Sequence, residues 1–307
     1  MPKFDIVGHR KIWYAISLLI IIPGIICMFV KGFNFGIDFT GGTIIELRFD
    51  SPVNIQDVRE VMKAYNLDNS TIQLSGEAAD VTEARDVMIR TVDIDETERK
   101  AVMASLKDTL GNYTVLREEK VGATMGAELL LNALWATLLS WVLIVVYVSF
   151  RFEFKFGLAA VLALVHDVLV VLAAFSFTQR QLDSSFVAAL LTIVGYSIND
   201  TIVIFDRIRE NLKLHFRRGG DIAKLANRSI YQTLTRSIYT VCTVLFTTFA
   251  LYWFGGDTTK DFSFALLVGF LSGCYSSIFI ASPLWVTLRN MGERRKLQKP
   301  VVTKVTP

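Results

Sequence analysis

The sequence predicts an α-helical polytopic membrane protein with six transmembrane helices and one external α+β domain inserted between helices 1 and 2. Three observations predict this fold class. Apolar runs raise the hydrophobic fraction to 52%, and the mean hydropathy is +0.43. Segment 31–127 is polar, with 11 Lys/Arg and 17 Asp/Glu, whereas the rest of the chain has a net charge of +9. Basic residues recur in every second loop. An ordinary soluble enzyme and a disordered chain are therefore excluded.

Six apolar runs are long enough to cross a bilayer core, which takes about 20 helical residues. The first run, 12–30, is apolar apart from Ser17. We interpret it as an uncleaved helix and not as a signal peptide, because no A-x-A cleavage pattern follows it. The other five helices form a bundle over 128–288. The expected spans are 12–30 and about 128–150, 155–177, 183–207, 229–254 and 262–288.

Basic residues near the helix ends predict the orientation, because Lys and Arg favour the cytoplasmic side. By this rule the N-terminal arm 1–11 and the tail 289–307 are cytoplasmic, and segment 31–127 is external. Nucleic-acid binding is not expected, since the positive charge borders apolar spans. The residues on the cytoplasmic side are Lys3, Arg10, Lys11, Arg151, Lys155, Arg207, Arg209, Lys213, Arg217, Arg218, Lys224, Arg228, Arg289, Arg294, Arg295, Lys296 and Lys299.

The external segment 31–127 has the pattern of a small ferredoxin-like domain. Strand-like alternation and helical spacing follow one another in the order βαβ–βαβ. The segment contains no histidine, and its sequence has no nucleophile–base pair and no glycine-rich phosphate loop. We therefore expect a structural or docking domain and not a catalytic one. The predicted strands are 43–49, 71–74, 85–92 and 113–119, and the predicted helices are 54–65 and 97–110.

Ionisable residues inside the spans are the most informative feature, because a charge at the bilayer centre costs at least about 2.5–3.5 kcal/mol. His166 and Asp167 lie in the third span. Asp200 lies seven residues before Arg207, at the cytoplasmic end of the fourth span, and Arg236 lies seven residues after the start of the fifth. Each is about 10 Å along its helix from that end. Asp200 and Arg236 are therefore well placed to meet.

Tyr196 and Asn199 share a helix face with Asp200, which predicts a polar face among apolar surroundings. Two interpretations stay open at this point. A buried carboxylate beside an arginine can exchange protons when the arginine moves, which suits a proton or ion pathway. Alternatively, the pair only fixes helix register. For His166 and Asp167, packing or hydrogen bonding is as reasonable as a relay.

No catalytic residue, cofactor or metal site is predicted. The cysteines Cys27, Cys242 and Cys274 all fall in spans and lack metal-ligand spacing. A membrane enzyme is therefore not indicated. The small residues from Gly269 to Gly273, followed by two serines, are typical of close helix packing.

Five sequence runs together resemble the SecF family, the smaller half of the bacterial SecD–SecF protein-export complex. The longest run is the most specific, whereas GIDFTGG alone would also fit SecD. At 122–125, GATM replaces the usual Gly-Pro of the family. The runs are FNFGIDFTGG at 33–42, VGATMGAEL at 121–129, HDV at 166–168, VGYSINDTIVIFDRIREN at 194–211 and NRSIYQTLTRSI at 227–238.

The resemblance implies a member of the resistance–nodulation–division superfamily of proton-driven transporters, in the bacterial cytoplasmic (inner) membrane. In this family six SecF helices pair with six of SecD around a pseudo-twofold axis. The complex uses the proton motive force to draw preproteins outward after SecA has threaded them through SecYEG. The implied partners are SecD, SecYEG, SecA, YidC, translocating preproteins, protons and the lipid bilayer.

By the same resemblance, the proton-pathway aspartate and the essential arginine of the family map onto Asp200 and Arg236. The hypothesis is that protonation of Asp200 weakens its hold on Arg236, so that the helices repack and the external domain moves. Tyr196, Asn199, His166 and Asp167 are supporting polar residues. The alternatives are a small-molecule exporter of the same superfamily, which usually has twelve helices and two external domains, and a passive translocon scaffold.

Overall fold

A computed structural model describes residues 4–68, 70–75, 83–215 and 220–297. It divides into two compact units. The first, here called the α+β unit, comprises Asn34–Trp135 and Gln181–Ser184. The second, here called the helical unit, contains the remaining described residues. Of the predicted cytoplasmic basic residues, Lys3, Arg217, Arg218 and Lys299 lie outside the described residues.

After helix α1 (Arg10–Val30), the chain enters a four-stranded antiparallel sheet covered by two helices. The strand order is β3-β4-β2-β5, which is the order of a ferredoxin-like sheet. The predicted βαβ–βαβ pattern is therefore confirmed. The elements are β1 (Asn34–Phe35), α2 (Ile37–Thr40), β2 (Gly42–Asn54), α3 (Ile55–Ala64), β3 (Thr71–Ser75), β4 (Glu83–Thr91), α4 (Glu96–Leu110) and β5 (Tyr113–Val121).

Local signals explain where these helices begin and end. Asn54 accepts a hydrogen bond from the backbone N–H of Gln56 at 2.9 Å, and Asp95 accepts one from Glu98 at 2.7 Å. Both are N-caps that satisfy a free amide of the first helical turn. Gly111, at φ +100°, ends α4 in a conformation that favours glycine.

The core of the α+β unit follows the alternation of its central strand. Ile45, Leu47 and Phe49 of β2 are fully buried on one face of the sheet. They pack with residues of α3 and α4, including Met62 and Leu106. The predicted strand 43–49 is longer than expected, because β2 continues to Asn54 after a register shift against β4.

Glycine is required at the turn that precedes β2. Gly41 has φ +73° and Gly42 has φ +139°, both outside the range of most side chains. A Cβ on Gly126, early in the next long helix, would lie 2.8 Å from the carbonyl oxygen of Phe39. Backbone therefore approaches backbone at this turn.

Among the described residues, six helical stretches are long and apolar enough to cross a membrane, which confirms the predicted number. They extend beyond the apolar runs, because the ends of α7 and α8 are polar. After α1, the long helices are α5 (Ala123–Arg151), α6 (Phe154–Thr178), α7 (Ser184–His215), α8 (Ile222–Phe254) and α9 (Asp257–Ser276), with a π-helical turn (Ser277–Ala281) leading into α10 (Ser282–Leu297). A short strand β6 (Gln181–Leu182) pairs in parallel with β1.

The helical unit has a core of aromatic and small residues. The rings of Phe156 and Trp285 stack with centroids 4.6 Å apart, and Phe205 packs on Phe156 at 4.8 Å. The segment before α1 joins this core, since Val7 is fully buried and its backbone N–H donates to Asn227 Oδ1 at 3.1 Å. By contrast, α5 is largely exposed.

Candidate functional site: two buried carboxylates

Asp200 lies on α7 with only 6% of its surface exposed. Its Oδ1 accepts a hydrogen bond from Ser237 Oγ of α8 at 2.6 Å. Its Oδ2 is buried and makes no hydrogen bond of ordinary geometry among the described residues, although the Ser277 hydroxyl is close enough to interact with the carboxylate. Buried polar atoms normally have a hydrogen-bond partner. If Asp200 had only a structural role, Oδ2 would be expected to have a donor as well.

Arg236 does not contact Asp200, although the sequence predicts that these two residues meet. Among the described residues, no ion pair joins the two, although the guanidinium lies within electrostatic range of the carboxylate. Arg236 is exposed and lines a cavity of about 280 Å³ together with Tyr147, Arg151 and Asp206. Counting residues along each helix predicts similar depths for the two residues but not the angles at which their side chains leave the helices. Consecutive helical residues differ by about 100°, so Ser237 faces Asp200 instead.

Asp167 is the more completely enclosed carboxylate, with 1% of its surface exposed. Its Oδ1 accepts from Ser272 Oγ at 2.7 Å, and its Oδ2 accepts from Ser197 Oγ and Ser276 Oγ, both at 2.7 Å. The donors come from α7 and α9. Asp167 therefore joins three helices of the helical unit through one side chain.

His166 continues this network toward α1. Its Nδ1 lies 3.1 Å from Asp167 Oδ1, and its Nε2 lies 3.0 Å from Ser17 Oγ. Ser17 Oγ lies 3.5 Å from the hydroxyl of Tyr275, which donates to the carbonyl oxygen of Trp13 at 2.8 Å. A line of polar groups thus runs from Asp167 to the first turn of α1.

A set of hydroxyls also lies between the two carboxylates. Thr201, next to Asp200, shares a hydrogen bond of 2.8 Å with Ser277. Ser277 begins the π-helical turn and donates to the carbonyl oxygen of Ser197 at 3.4 Å. Such π-helical turns occur often at functional sites. Hydrogen bonds therefore connect the surroundings of Asp200 with those of Asp167.

The remaining predicted residues are less closely involved. The ring of Tyr196 packs on Phe270 at 4.7 Å, and its hydroxyl is buried without a hydrogen-bond partner among the described residues. Asn199 is exposed. The structure does not gather the predicted polar face into one buried cluster.

Sequence reasoning missed the serines that surround both carboxylates. A signal for them was present, because Ser272 and Ser276 are spaced i, i+4 and Ser17 is the one polar residue of the first run. The small-residue interpretation was correct for packing, since a Cβ on Gly273 would lie 3.0 Å from Ser197 Cβ. It did not foresee that the same stripe supplies hydrogen-bond donors.

Two family models match the chain. "Protein export membrane protein SecD/SecF, C-terminal" covers residues 101–291, and "SecD/SecF GG Motif" covers residues 28–53. The chain is 49% identical over 294 residues to protein translocase subunit SecF of Acidaminococcus fermentans, covering 96% of this chain and 100% of that relative. It is 38% identical to protein translocase subunit SecDF of Bacillus subtilis, covering 97% of this chain and 39% of that one.

Solved structures give the same result. The crystal structure of SecDF from Thermus thermophilus superposes with a TM-score of 0.83 at 38% identity, over 94% of this chain. SecDF in its super-membrane-facing form gives a TM-score of 0.72 at 38% identity, over 97% of this chain. The chain spans 39% and 40% of the length of these two SecDF chains.

The fold and the comparisons first define a class: this is a multi-pass membrane protein of the transport type. More particularly, the chain belongs to the SecD/SecF family of protein export membrane proteins, and its full-length relatives are translocase subunits named SecF.

Proposed function

We propose that this chain acts with SecD to couple the proton motive force to preprotein export, with Asp200 as the residue that takes up the proton. The observation that supports this most is the geometry of Asp200. Its carboxylate is buried in a membrane helix, receives one hydroxyl from α8 and leaves Oδ2 without a hydrogen bond of ordinary geometry among the described residues. A free oxygen of this kind has room for a proton.

The proposed step begins with Asp200 ionised and Ser237 donating to Oδ1. A proton that binds Oδ2 makes the side chain neutral, so Arg236 on α8 loses its electrostatic attraction to Asp200. This replaces the simpler idea of breaking a direct ion pair, because the contact to Asp200 is made by Ser237. The change in charge alters how α7 packs on α8. Each proton that crosses 100 mV releases about 2.3 kcal/mol, so a few protons can drive a modest domain motion.

The proposed setting is the bacterial cytoplasmic membrane, with both termini in the cytoplasm and 31–127 external as a ferredoxin-like domain. The distribution of Lys and Arg supports this orientation. SecD is the proposed main partner, because about 60% of each SecDF chain lies outside the part that this protein matches. SecYEG, SecA and YidC are the proposed machinery that delivers the preprotein. The domain boundaries 1–11, 12–30, 31–127, 128–288 and 289–307 belong to the same proposal.

The experiment is export driven by the proton motive force in membrane vesicles that contain the chain with its SecD partner. We expect Asp200→Asn and Arg236→Met each to abolish the stimulation of export by the proton motive force. Asp108→Asn, an exposed aspartate of α4, is the matched control and should export normally. Normal stimulation in both site variants would contradict the proposal.

Proton flux in the same vesicles distinguishes the two other functions. Assisted export without proton flux would indicate a passive translocon scaffold. Proton flux that depends on an added small molecule, without any effect on export, would indicate a small-molecule exporter.

A further inference from the structure

The donors around Asp167 determine its charge. Three serine hydroxyls and His166 Nδ1 surround its two oxygens at 2.7–3.1 Å. An ionised carboxylate accepts all four hydrogen bonds, whereas a protonated one has too few free lone pairs for four donors and loses at least one of these bonds. Each lost donor would leave a buried polar group unpaired, which costs about 1–3 kcal/mol. This shell therefore holds Asp167 as an anion and makes His166 Nδ1 a donor.

With Nδ1 donating, the other nitrogen of His166 decides how the next groups are arranged. When His166 is neutral, Nε2 has no hydrogen and accepts from Ser17 Oγ at 3.0 Å. When His166 is cationic, Nε2 donates to Ser17, and Ser17 donates instead to Tyr275, 3.5 Å away. Tyr275 donates to the Trp13 carbonyl in both states. The same heavy-atom positions thus satisfy two protonation states.

We infer that His166 is a second proton-binding site in the helical unit, separate from Asp200, with Asp167 as its fixed counter-ion. The proton is exchanged at Nε2, the nitrogen that faces Ser17. The balance is simple. One proton binds Nε2, the Ser17 hydroxyl rotates from Nε2 to the Tyr275 oxygen, and the charge of the His166–Asp167 pair changes from −1 to zero.

The surroundings favour this exchange. α1 contributes Ser17, α7 contributes Ser197, and α9 contributes Tyr275 with two serines to the pair. Of these side chains only Tyr275 is titratable, so no cationic group among the described hydrogen-bond partners of the pair neutralises Asp167. A lone buried carboxylate is costly, whereas a hydrogen-bonded ion pair is better compensated. Proton uptake at His166 therefore relieves a buried net charge.

The site is also linked to the Asp200 region. Ser197, which donates to Asp167, lies one helical turn before Asp200, and its carbonyl oxygen accepts from Ser277. A change in the charge of the His166–Asp167 pair therefore alters the electrostatic force on this turn of α7. This inference deepens the proposed function and rests on it for its role in export, but proton binding at His166 is measurable without export.

The decisive measurement is the ¹⁵N resonance of His166 in lipid. The chain has 3 histidines, so the double variant His9→Gln, His215→Gln leaves His166 alone. We expect a neutral form with hydrogen on Nδ1 only, which gains a hydrogen on Nε2 as the pH is lowered. An Nε2 resonance that stays unchanged at every pH at which the chain is folded, or a neutral form protonated at Nε2, would overturn the inference.

Two pairs of variants test the Ser17 contact and the role of His166. Ser17→Ala should shift the midpoint of the His166 titration, whereas Ser263→Ala, a buried serine that bonds its own helix backbone, should not. His166→Asn removes the basic nitrogen and should change the pH dependence of proton-driven export, whereas His9→Asn should leave it unchanged. Equal effects within either pair would contradict the inference.

The failure of one proposal does not hide the failure of the other. Asp200→Asn should abolish proton-driven export while His166 still titrates. Normal export in Asp200→Asn with a titrating His166 would remove the proposed function and keep the second proton site. A silent His166 together with loss of export in Asp200→Asn would do the reverse.

Discussion

The helical unit and the α+β unit place their charged side chains in opposite ways. In the helical unit, Asp167 and Asp200 are buried and held by neutral hydroxyls. In the α+β unit, charges pair with charges at the surface, as in Arg48–Asp86 at 2.7 Å, with side chains 58% and 23% exposed. A buried carboxylate depends on each donor, whereas water replaces a lost surface partner at little cost. The carboxylates of the proposed proton sites therefore lie where a lost hydrogen-bond partner is hardest to replace.

The largest expected effect is the removal of Asp167. Asp167→Ala leaves three serine hydroxyls and His166 Nδ1 without their acceptor. We expect the free energy of unfolding to fall by about 3–5 kcal/mol, as for a broken buried pair. Equilibrium unfolding of the purified chain in mixed micelles measures this loss. An effect no larger than that of Asp86→Ala would break the comparison between the two units.

A smaller effect is expected where helices pack around the same carboxylate. A Cβ on Gly273 would lie 3.0 Å from Ser197 Cβ, so Gly273→Ala must displace the serine that donates to Asp167. We expect a loss of about 1–3 kcal/mol, as for other overpacked cores. Gly195→Ala is the matched control, because an added Cβ there meets open space among the described residues.

In the control, alanine should be neutral or stabilising by up to about 1 kcal/mol, since it favours helix over glycine. The same unfolding measurement compares the two glycines. Equal stability changes in both variants would show that the spacing of α7 and α9 does not control the Asp167 shell.

Much of the fold followed from the sequence, because burial in lipid and in a sheet leaves simple periodic patterns. Six apolar runs gave six helices, and the caps Asn54 and Gly111 marked helix ends within the α+β unit. The site was harder to predict. Depth along a helix follows from counting residues, but the direction of a side chain depends on how each helix is rotated. Arg236 and Ser237 are neighbours in sequence, and only packing decides which of them faces Asp200.

The segment before α1 gives the next prediction. Asn227 of α8 accepts from Val7 N–H at 3.1 Å and donates to the Asp5 carboxylate. Asn227→Ala leaves the buried Val7 amide unpaired, so we expect a loss of about 1–2 kcal/mol. Hydrogen exchange of residues 4–9 should rise while that of α9 stays unchanged.

Asn227→Asp is the control for this prediction. It keeps an acceptor for Val7 but places a second negative charge beside Asp5. In this variant the backbone amides of residues 4–9 should be protected from hydrogen exchange at low pH, where Asp5 is neutral. They should exchange faster near neutral pH. Unchanged exchange of residues 4–9 in Asn227→Ala would show that the apolar contacts of Val7 alone hold the segment.

The smallest effect is expected at the surface of the α+β unit. The hydrogen bond from Arg48 lowers the pKa of Asp86 below its ordinary value of about 3.9. A carboxyl whose pKa is lowered by folding stabilises the folded state above its unfolded pKa and loses that contribution as the pH falls through its folded pKa. For an exposed pair we expect at most about 1 kcal/mol.

Hydrogen exchange of the β4 amides in the native chain and in Asp86→Asn, compared at equal pH, measures the difference. It should be small near pH 6, shrink below about pH 3.9 and disappear once Asp86 is protonated in the folded chain. A difference that persists in acid would show that Asp86 acts through packing, and the contrast between surface pairs and buried carboxylates would then be weaker than the geometry indicates.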